Sequence, residues 1–179
     1  AATVQSRTLA GVLAGDAGGV SLGGGSATFD TANAGNGKTV TLTGATLTGT
    51  AAGNYSLSSV GTTTADVAKA DATVSVSGYS GTYDAAAHGA TGTATGIGGV
   101  DLIAGLTLGT TFTNVSGGTA DWTFTDSTGN YNDQSGSVAI SITALEITGS
   151  FTAANKTYDG GAAATVQSRT LAGVLAGDA

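Results

Sequence analysis

Residues 138–143 read Val-Ala-Ile-Ser-Ile-Thr. Successive side chains of an extended chain point to opposite faces, so Val138, Ile140 and Ile142 share one side and Ala139, Ser141 and Thr143 the other. The same period of two recurs upstream. Trp122 and Phe124 alternate with Thr123 and Thr125; Val74 and Val76 alternate with Thr73, Ser75 and Ser77; Val40 and Leu42 alternate with Thr39, Thr41 and Thr43. Strict alternation gives one buried and one wet face, the pattern of antiparallel sheets. Thr suits the wet face because its β-branch fits a pleated surface. Glycine clusters such as Gly23-Gly24-Gly25 and Gly117-Gly118 fall at turn spacing. Helical spacing is confined to Val12-Leu13-Ala14, too short to make a helix. The pattern predicts an all-β chain.

Working outward from this stretch, the chain repeats itself. Residues 1–17, AATVQSRTLAGVLAGDA, recur letter for letter at 163–179, an offset of 162. The sequence therefore reads as one period of a tandem array plus a short overlap. A second repeat lies inside the first. Thr82-Tyr83-Asp84 and Thr157-Tyr158-Asp159 are 75 residues apart, and Gly53-Asn54-Tyr55 and Gly129-Asn130-Tyr131 are 76 apart. Two related modules per period follow, of about 75 and 87 residues. Short strands and turn signals in modules of this size predict small immunoglobulin-like antiparallel β-sandwiches, arranged head to tail. The expected boundaries are 1–70 for a module missing its first strands, 71–143 for the second module, and 144–179 for the start of the next copy of the first. The joints, Asp66-Val67-Ala68-Lys69-Ala70 and Ser141-Ile142-Thr143-Ala144-Leu145, hold no Pro or Gly and read as strands running from one module into the next.

Composition narrows the function. The 179 residues include 31 Gly, no Pro, no Cys and no Met, and only 9% are charged. Without Cys there are no disulfides, no thiol chemistry and no Cys-based zinc sites. With a single His, His88, a His-rich metal centre is excluded. Five basic against twelve acidic residues, net −7, argue against nucleic acid and anionic membrane as partners. No apolar run reaches the 18 residues of a membrane span, and no basic start precedes an apolar core, so neither membrane insertion nor a signal peptide is expected from this stretch. Proline normally protects edge strands; its absence suits an array that pairs its edges on purpose.

The residues Asn155-Lys156-Thr157-Tyr158-Asp159-Gly160-Gly161, followed by Leu171-Ala172-Gly173-Val174-Leu175-Ala176-Gly177-Asp178, resemble the YDG repeat. So do Ala27-Thr28-Phe29-Asp30, Gly37-Lys38-Thr39-Val40 and Ala51-Ala52-Gly53-Asn54-Tyr55. The stretch from Gly81-Thr82-Tyr83-Asp84 through Ala120-Asp121-Trp122-Thr123-Phe124 to Asn130-Tyr131-Asn132-Asp133 resembles the companion MBG-type repeat, mostly β and glycine-rich. The resemblance implies tandem repeats of large filamentous-haemagglutinin-like bacterial surface proteins. It carries over no catalytic residues.

Individual side chains fit a structural reading. Tyr83 and Tyr158 are expected to pack their rings, with Asp84 and Asp159 capping the turns that follow. Trp122 is expected in the core of the second module. Asp126, Asn130, Asn132 and Asp133 are hard oxygen donors close in sequence and form the one calcium candidate, although no calcium-loop motif surrounds them and turn formation explains them more cheaply. No metal or cofactor is otherwise expected. His88, among small residues without a matching Ser and Asp, reads as a turn residue.

The expectation is a non-enzymatic structural repeat of an extracellular protein, a filament or adhesin stalk whose partners are neighbouring copies of itself. The strand expected to carry assembly spans Leu145, Ile147, Phe151 and Tyr158; it would complete the module at 1–70 by strand addition. The alternative is a module that binds surface glycans through the threonine rows Thr39, Thr41, Thr43 and Thr46, Thr48, Thr50.

Overall fold

A computed structural model describes residues 2–178. Among them the regular elements are β-strands and three-residue 3-10 turns, so the all-β expectation holds. The chain divides into two units, Ala1–Asp71 with Asp126–Asn132, and Ala72–Thr125 with Asp133–Ala179.

The first unit is built on strands β1 (Ser21–Phe29), β2 (Gly35–Thr48) and β3 (Thr63–Val67), antiparallel and in that order. Ladder pairs run from Ser21 opposite Thr48 to Phe29 opposite Val40. The threonines of β2 shift phase, occupying odd positions through Thr43 and even ones from Thr46. A regular strand would turn half of them inward. Gly44 and, on β1, Gly25 take positive φ, 70° and 82°, and this kink resets the alternation. Thr39, Thr41, Thr43, Thr46 and Thr48 are consequently all exposed, while Val40, Leu42 and Leu47 face inward. Thr50 lies beyond the end of β2. Val20, Ala27 and Val40 are the buried residues of this unit.

The turn between β1 and β2 closes on Lys38. Its ammonium donates to the Thr31 carbonyl at 2.8 Å, the Thr31 hydroxyl and the Asn33 carbonyl, and lies 3.8 Å from Asp30. The segment Asp126–Asn132 is tied to this unit by backbone bonds. Ala70 N–H donates to Asn130 O, Asn132 N–H to Ala70 O, and Ala34 N–H to the Asn130 side-chain oxygen, each at 2.8–2.9 Å.

The second unit holds β4 (Thr73–Ser77), β5 (Tyr79–Thr82), β6 (Thr91–Thr95), β7 (Leu106–Thr107), β8 (Ser116–Phe124) and β9 (Gln134–Thr143). β4 pairs with β6; the other four form a sheet in the order β5-β9-β8-β7. β5 runs parallel to β9, which departs from the expected all-antiparallel arrangement. Gly78 is the reason. There the chain passes from one sheet to the other, so close to β9 that a Cβ at this position would sit 2.0 Å from the Ala139 carbonyl oxygen. Ala72, Ala94, Ala120, Phe124, Ile140 and Ile142 are buried, and Tyr79, Tyr83, Phe112 and Val138 pack around Ala120, Ile140 and Ile142. Trp122 is half-buried at the margin of this core, its indole lying over Gly136, its cross-strand partner.

The joints differ from expectation. β3 ends at Val67 and β4 begins at Thr73; β9 ends at Thr143, and the next strand begins at Thr148. At the first joint the backbone groups of Ala70 are spent on Asn130 and Asn132, so they do not extend a ladder from β3 into β4. The second unit closes with β10 (Thr148–Ala153) and β11 (Val166–Ala172), an antiparallel pair that joins neither of the other two sheets.

Candidate assembly site

In β10 and β11, Gly149, Phe151 and Ala153 alternate with Thr148, Ser150 and Thr152, so the pair has one apolar and one hydroxyl face. On the hydroxyl face Ser150 bonds Thr170 and Thr152 bonds Ser168, both at 2.6 Å between oxygens. On the other, Gly149 stands opposite Leu171 and Phe151 opposite Arg169. Every residue of both strands is exposed; Phe151 is 68% and Leu171 66% accessible. A two-stranded ribbon without a covered face is marginal in water, because its backbone bonds must offset the ordering entropy almost alone.

Of the four residues expected to form an assembly strand, Phe151 lies in β10. Leu145 and Ile147 precede the strand and Tyr158 follows it in the connection to β11. Tyr158 is 93% exposed, so its ring does not pack as expected; the hairpin offers it no second layer. Its counterpart Tyr83 does pack, and a hydrogen bond to Asp178 raises its hydroxyl above the ordinary tyrosine value. Both aspartates of the motif cap their turns: Asp84 accepts from Ala86 N–H at 2.9 Å and Asp159 from Gly161 N–H at 3.0 Å. Lys156 Nζ also bonds Asp159, at 2.9 Å.

The first copy of the repeated sequence behaves differently from the second. Residues 166–172 form β11, but their counterparts 4–10 carry no strand assignment. The segment is anchored at its start by a bridge between Ala2 and Ala27, and further on by Arg7, whose guanidinium donates to the Gly24 carbonyl at 3.1 Å. Tyr55 fixes the end, accepting from Leu13 N–H and donating to Asp16. Between this segment and the inner face of the sheet lies a cavity of about 680 Å³, lined by Val4, Leu22, Phe29, Val40, Leu42 and Val60 among others. Val4, on this cavity, and Leu9, beyond it, are half-buried, whereas Val166 and Leu171 are exposed. Of these lining residues the sequence pattern marks Val40 and Leu42 as inward-facing, while Val4, Leu22 and Val60 carry no such mark. Nothing in the sequence says that the inner face leaves a cavity of this size beside it.

Three of the four calcium candidates, Asp126, Asn130 and Asn132, take part in hydrogen bonds within the turn and to its neighbours. Both Asp126 oxygens accept bonds, one from Thr128 N–H and the other from the Thr128 hydroxyl and the N–H groups of Asn130 and Tyr131. These donors, led by the Thr128 hydroxyl, hold its pKa at about 2. The Asn130 oxygen is taken by Ala34 N–H, and the Asn132 amide donates to Asp71 at 2.7 Å. Asp133 begins the return into the second unit. Among the described residues no three acidic or His side chains cluster as metal ligands would. His88 stacks on Tyr79 and lies 2.9 Å from Asp84, an arrangement that holds a turn together.

Comparison with known proteins gives one family. No curated protein and no solved structure matches the chain. Residues 1–65, which contain the strands β1 and β2 and the cavity beneath the repeated segment, match the YDG domain, and the chain therefore carries a YDG-type domain.

Proposed function

We propose that this chain is a structural tandem repeat of a large extracellular bacterial surface protein, a filament or adhesin stalk built from small immunoglobulin-like modules joined end to end. The observation that carries this reading is the 17-residue recurrence at an offset of 162. Exact recurrence of a stretch at a fixed offset is the signature of a tandem array. The YDG domain and the all-β fold agree with it. The job is reach and tensile continuity, and the immediate partners are neighbouring copies.

The test is length. Chains of one, two and three 162-residue periods are compared by small-angle X-ray scattering. A maximum dimension that grows by a constant increment per period supports a stalk; growth as the cube root of mass, as for a compact globule, sinks it.

A second reading, adhesion to glycans, draws on the exposed threonines of β2, with Thr28 opposite Thr41 and Thr64 opposite Thr39 extending the hydroxyl surface onto β1 and β3. A glycan array probed with one period separates it from a purely structural role, and loss of a glycan signal on replacing Thr39, Thr41 and Thr43 by Val would support it.

A further inference from the structure

Strand β10 holds, in its own chain, a partner whose sequence occurs twice. The residues opposite it, Val166–Ala172, are identical to Val4–Ala10, which carry no strand assignment and border a cavity. We propose that β10 of one copy adds to Val4–Ala10 of a second copy in the register it holds with β11. Ser150 then faces Thr8, Phe151 faces Arg7, Gly149 faces Leu9 and Ala153 faces Val4. This rests on the reading of the chain as a self-associating repeat and specifies the contact.

Three observations select this occupant. The first is identity: whatever makes Val166–Ala172 a ladder partner for β10 is present residue for residue in Val4–Ala10. The second is facing. Cross-strand partners project to the same side, and Arg7 already reaches Gly24 on β1. A residue opposite Arg7 is therefore turned toward the sheet, which directs Phe151 to the cavity beside Phe29 and Leu42. The third is chemical match: the hairpin exposes Phe151 and Leu171 on one face, and the sheet side of the cavity is apolar, lined by Leu22, Phe29, Val40 and Leu42. An aromatic anchor entering a preformed pocket is the usual energetic centre of such an interface.

The two acceptors compete. β11 is tethered to β10 by a short connection, giving it an effective concentration of about millimolar. Exchange becomes favourable because Val4–Ala10 offers the cavity as well as the ladder, whereas β11 offers the ladder alone. Donor and acceptor lie on different surfaces, so the contact is heterologous and propagates as an open chain of copies. In a covalent array the same pairing forms between consecutive periods of one polypeptide.

The chain has no cysteine, which permits a clean test. Thr8→Cys and Ser150→Cys are combined in the full chain, concentrated and oxidised, with Ser150→Cys alone and Ser150→Cys with Thr170→Cys as controls. The 2.6 Å between the Ser150 and Thr170 hydroxyls shows that this pair of positions can accept a disulfide. The expected result is a ladder of linked dimers, trimers and higher species joined between positions 8 and 150, with the 150–170 control closing within monomers. Adding Phe151→Ser should cut the ladder at least tenfold, and Arg169→Pro, which damages only the competing acceptor, should increase it. Oligomers seen by light scattering without the 8–150 link overturn the proposed register. A chain that stays monomeric at millimolar concentration, or an 8–150 link confined to monomers, overturns strand exchange. Neither failure touches the stalk reading, which the length series on covalently joined periods decides separately.

Discussion

His88 lies flat on Tyr79, ring centroids 3.8 Å apart and planes 7° from parallel, while its Nε2 reaches the Asp84 carboxylate at 2.9 Å. The two rings clamp the turn that follows β5, and His88 backbone groups pair with Phe112 on the other side. The His88 bond, aided by Ala86 N–H, holds the Asp84 carboxyl below its ordinary value of 3.8. His88→Ala should move the Asp84 titration midpoint upward, toward that value, as read by carboxyl-carbon NMR. The sign follows from linkage: a depressed carboxyl stabilises the fold above its unfolded pKa and loses that contribution as pH falls through the folded value. The variant should accordingly be less acid-sensitive through this site. An unmoved midpoint would show that the backbone donor alone sets it.

Asp126 makes a stronger acid-sensitive claim. With a folded pKa of about 2 against an ordinary 3.8, its stabilisation is complete above about pH 4 and fades as pH drops toward 2. Urea midpoints measured at pH 6, 4, 3 and 2 should fall mainly across the last three. In Asp126→Asn, which loses the charge but keeps one acceptor, the midpoint should be lower at pH 6 and flatter across that window.

Ala85 holds a φ of 64°, the only non-glycine residue at positive φ among the described residues. A Cβ in the left-handed region costs roughly 1–2 kcal/mol, part of which glycine gives back in unfolded-state entropy. Ala85→Gly should therefore stabilise the second unit by about 0.5–1 kcal/mol in urea unfolding.

Phe124 and Phe151 offer a contrast within one unit. Phe124 is 1% exposed in the core, and Phe124→Ala should cost about 3–5 kcal/mol. Phe151 is 68% exposed, and Phe151→Ala in dilute monomer should change stability by less than about 0.5 kcal/mol. Equal losses for the two would mean that the hairpin is packed in solution.

Gly78→Ala places a methyl 2.0 Å from a backbone carbonyl that cannot rotate away. Overpacking of this kind costs about 1–3 kcal/mol and should be accompanied by loss of hydrogen-exchange protection along β5.

Much of the fold is legible in the sequence because period two is local. Val138–Ile142 and Trp122–Phe124 announce their strands, and even the kink at Gly44 can be anticipated from threonines that change phase. What escapes are events decided by distant backbone. The parallel pairing of β5 needs Ala139 to come within van der Waals reach of Gly78, and nothing near Gly78 says so. The Asp126–Asn132 segment reads as an isolated turn, and its bonds to Ala34, Ala70 and Asp71 reveal which unit it serves. At the hairpin, the expected strand from Leu145 to Tyr158 is shorter in the structure because both ends continue the apolar pattern without entering the ladder, and the pairing of β10 with Val166–Ala172 is set by residues more than a dozen positions downstream.

The kink at Gly25 and Gly44 keeps a row of hydroxyls, not charges, on the outer surface of the first unit. Three ion pairs are present among the described residues, all involving partly exposed aspartates, and such pairs contribute little. Dissolved electrolyte screens those pairs and also relieves the mutual repulsion of a net charge of −7, while backbone ladders, hydroxyl bonds and apolar contacts are left as they are. The fold of each unit should thus be nearly the same in fresh water and in brine.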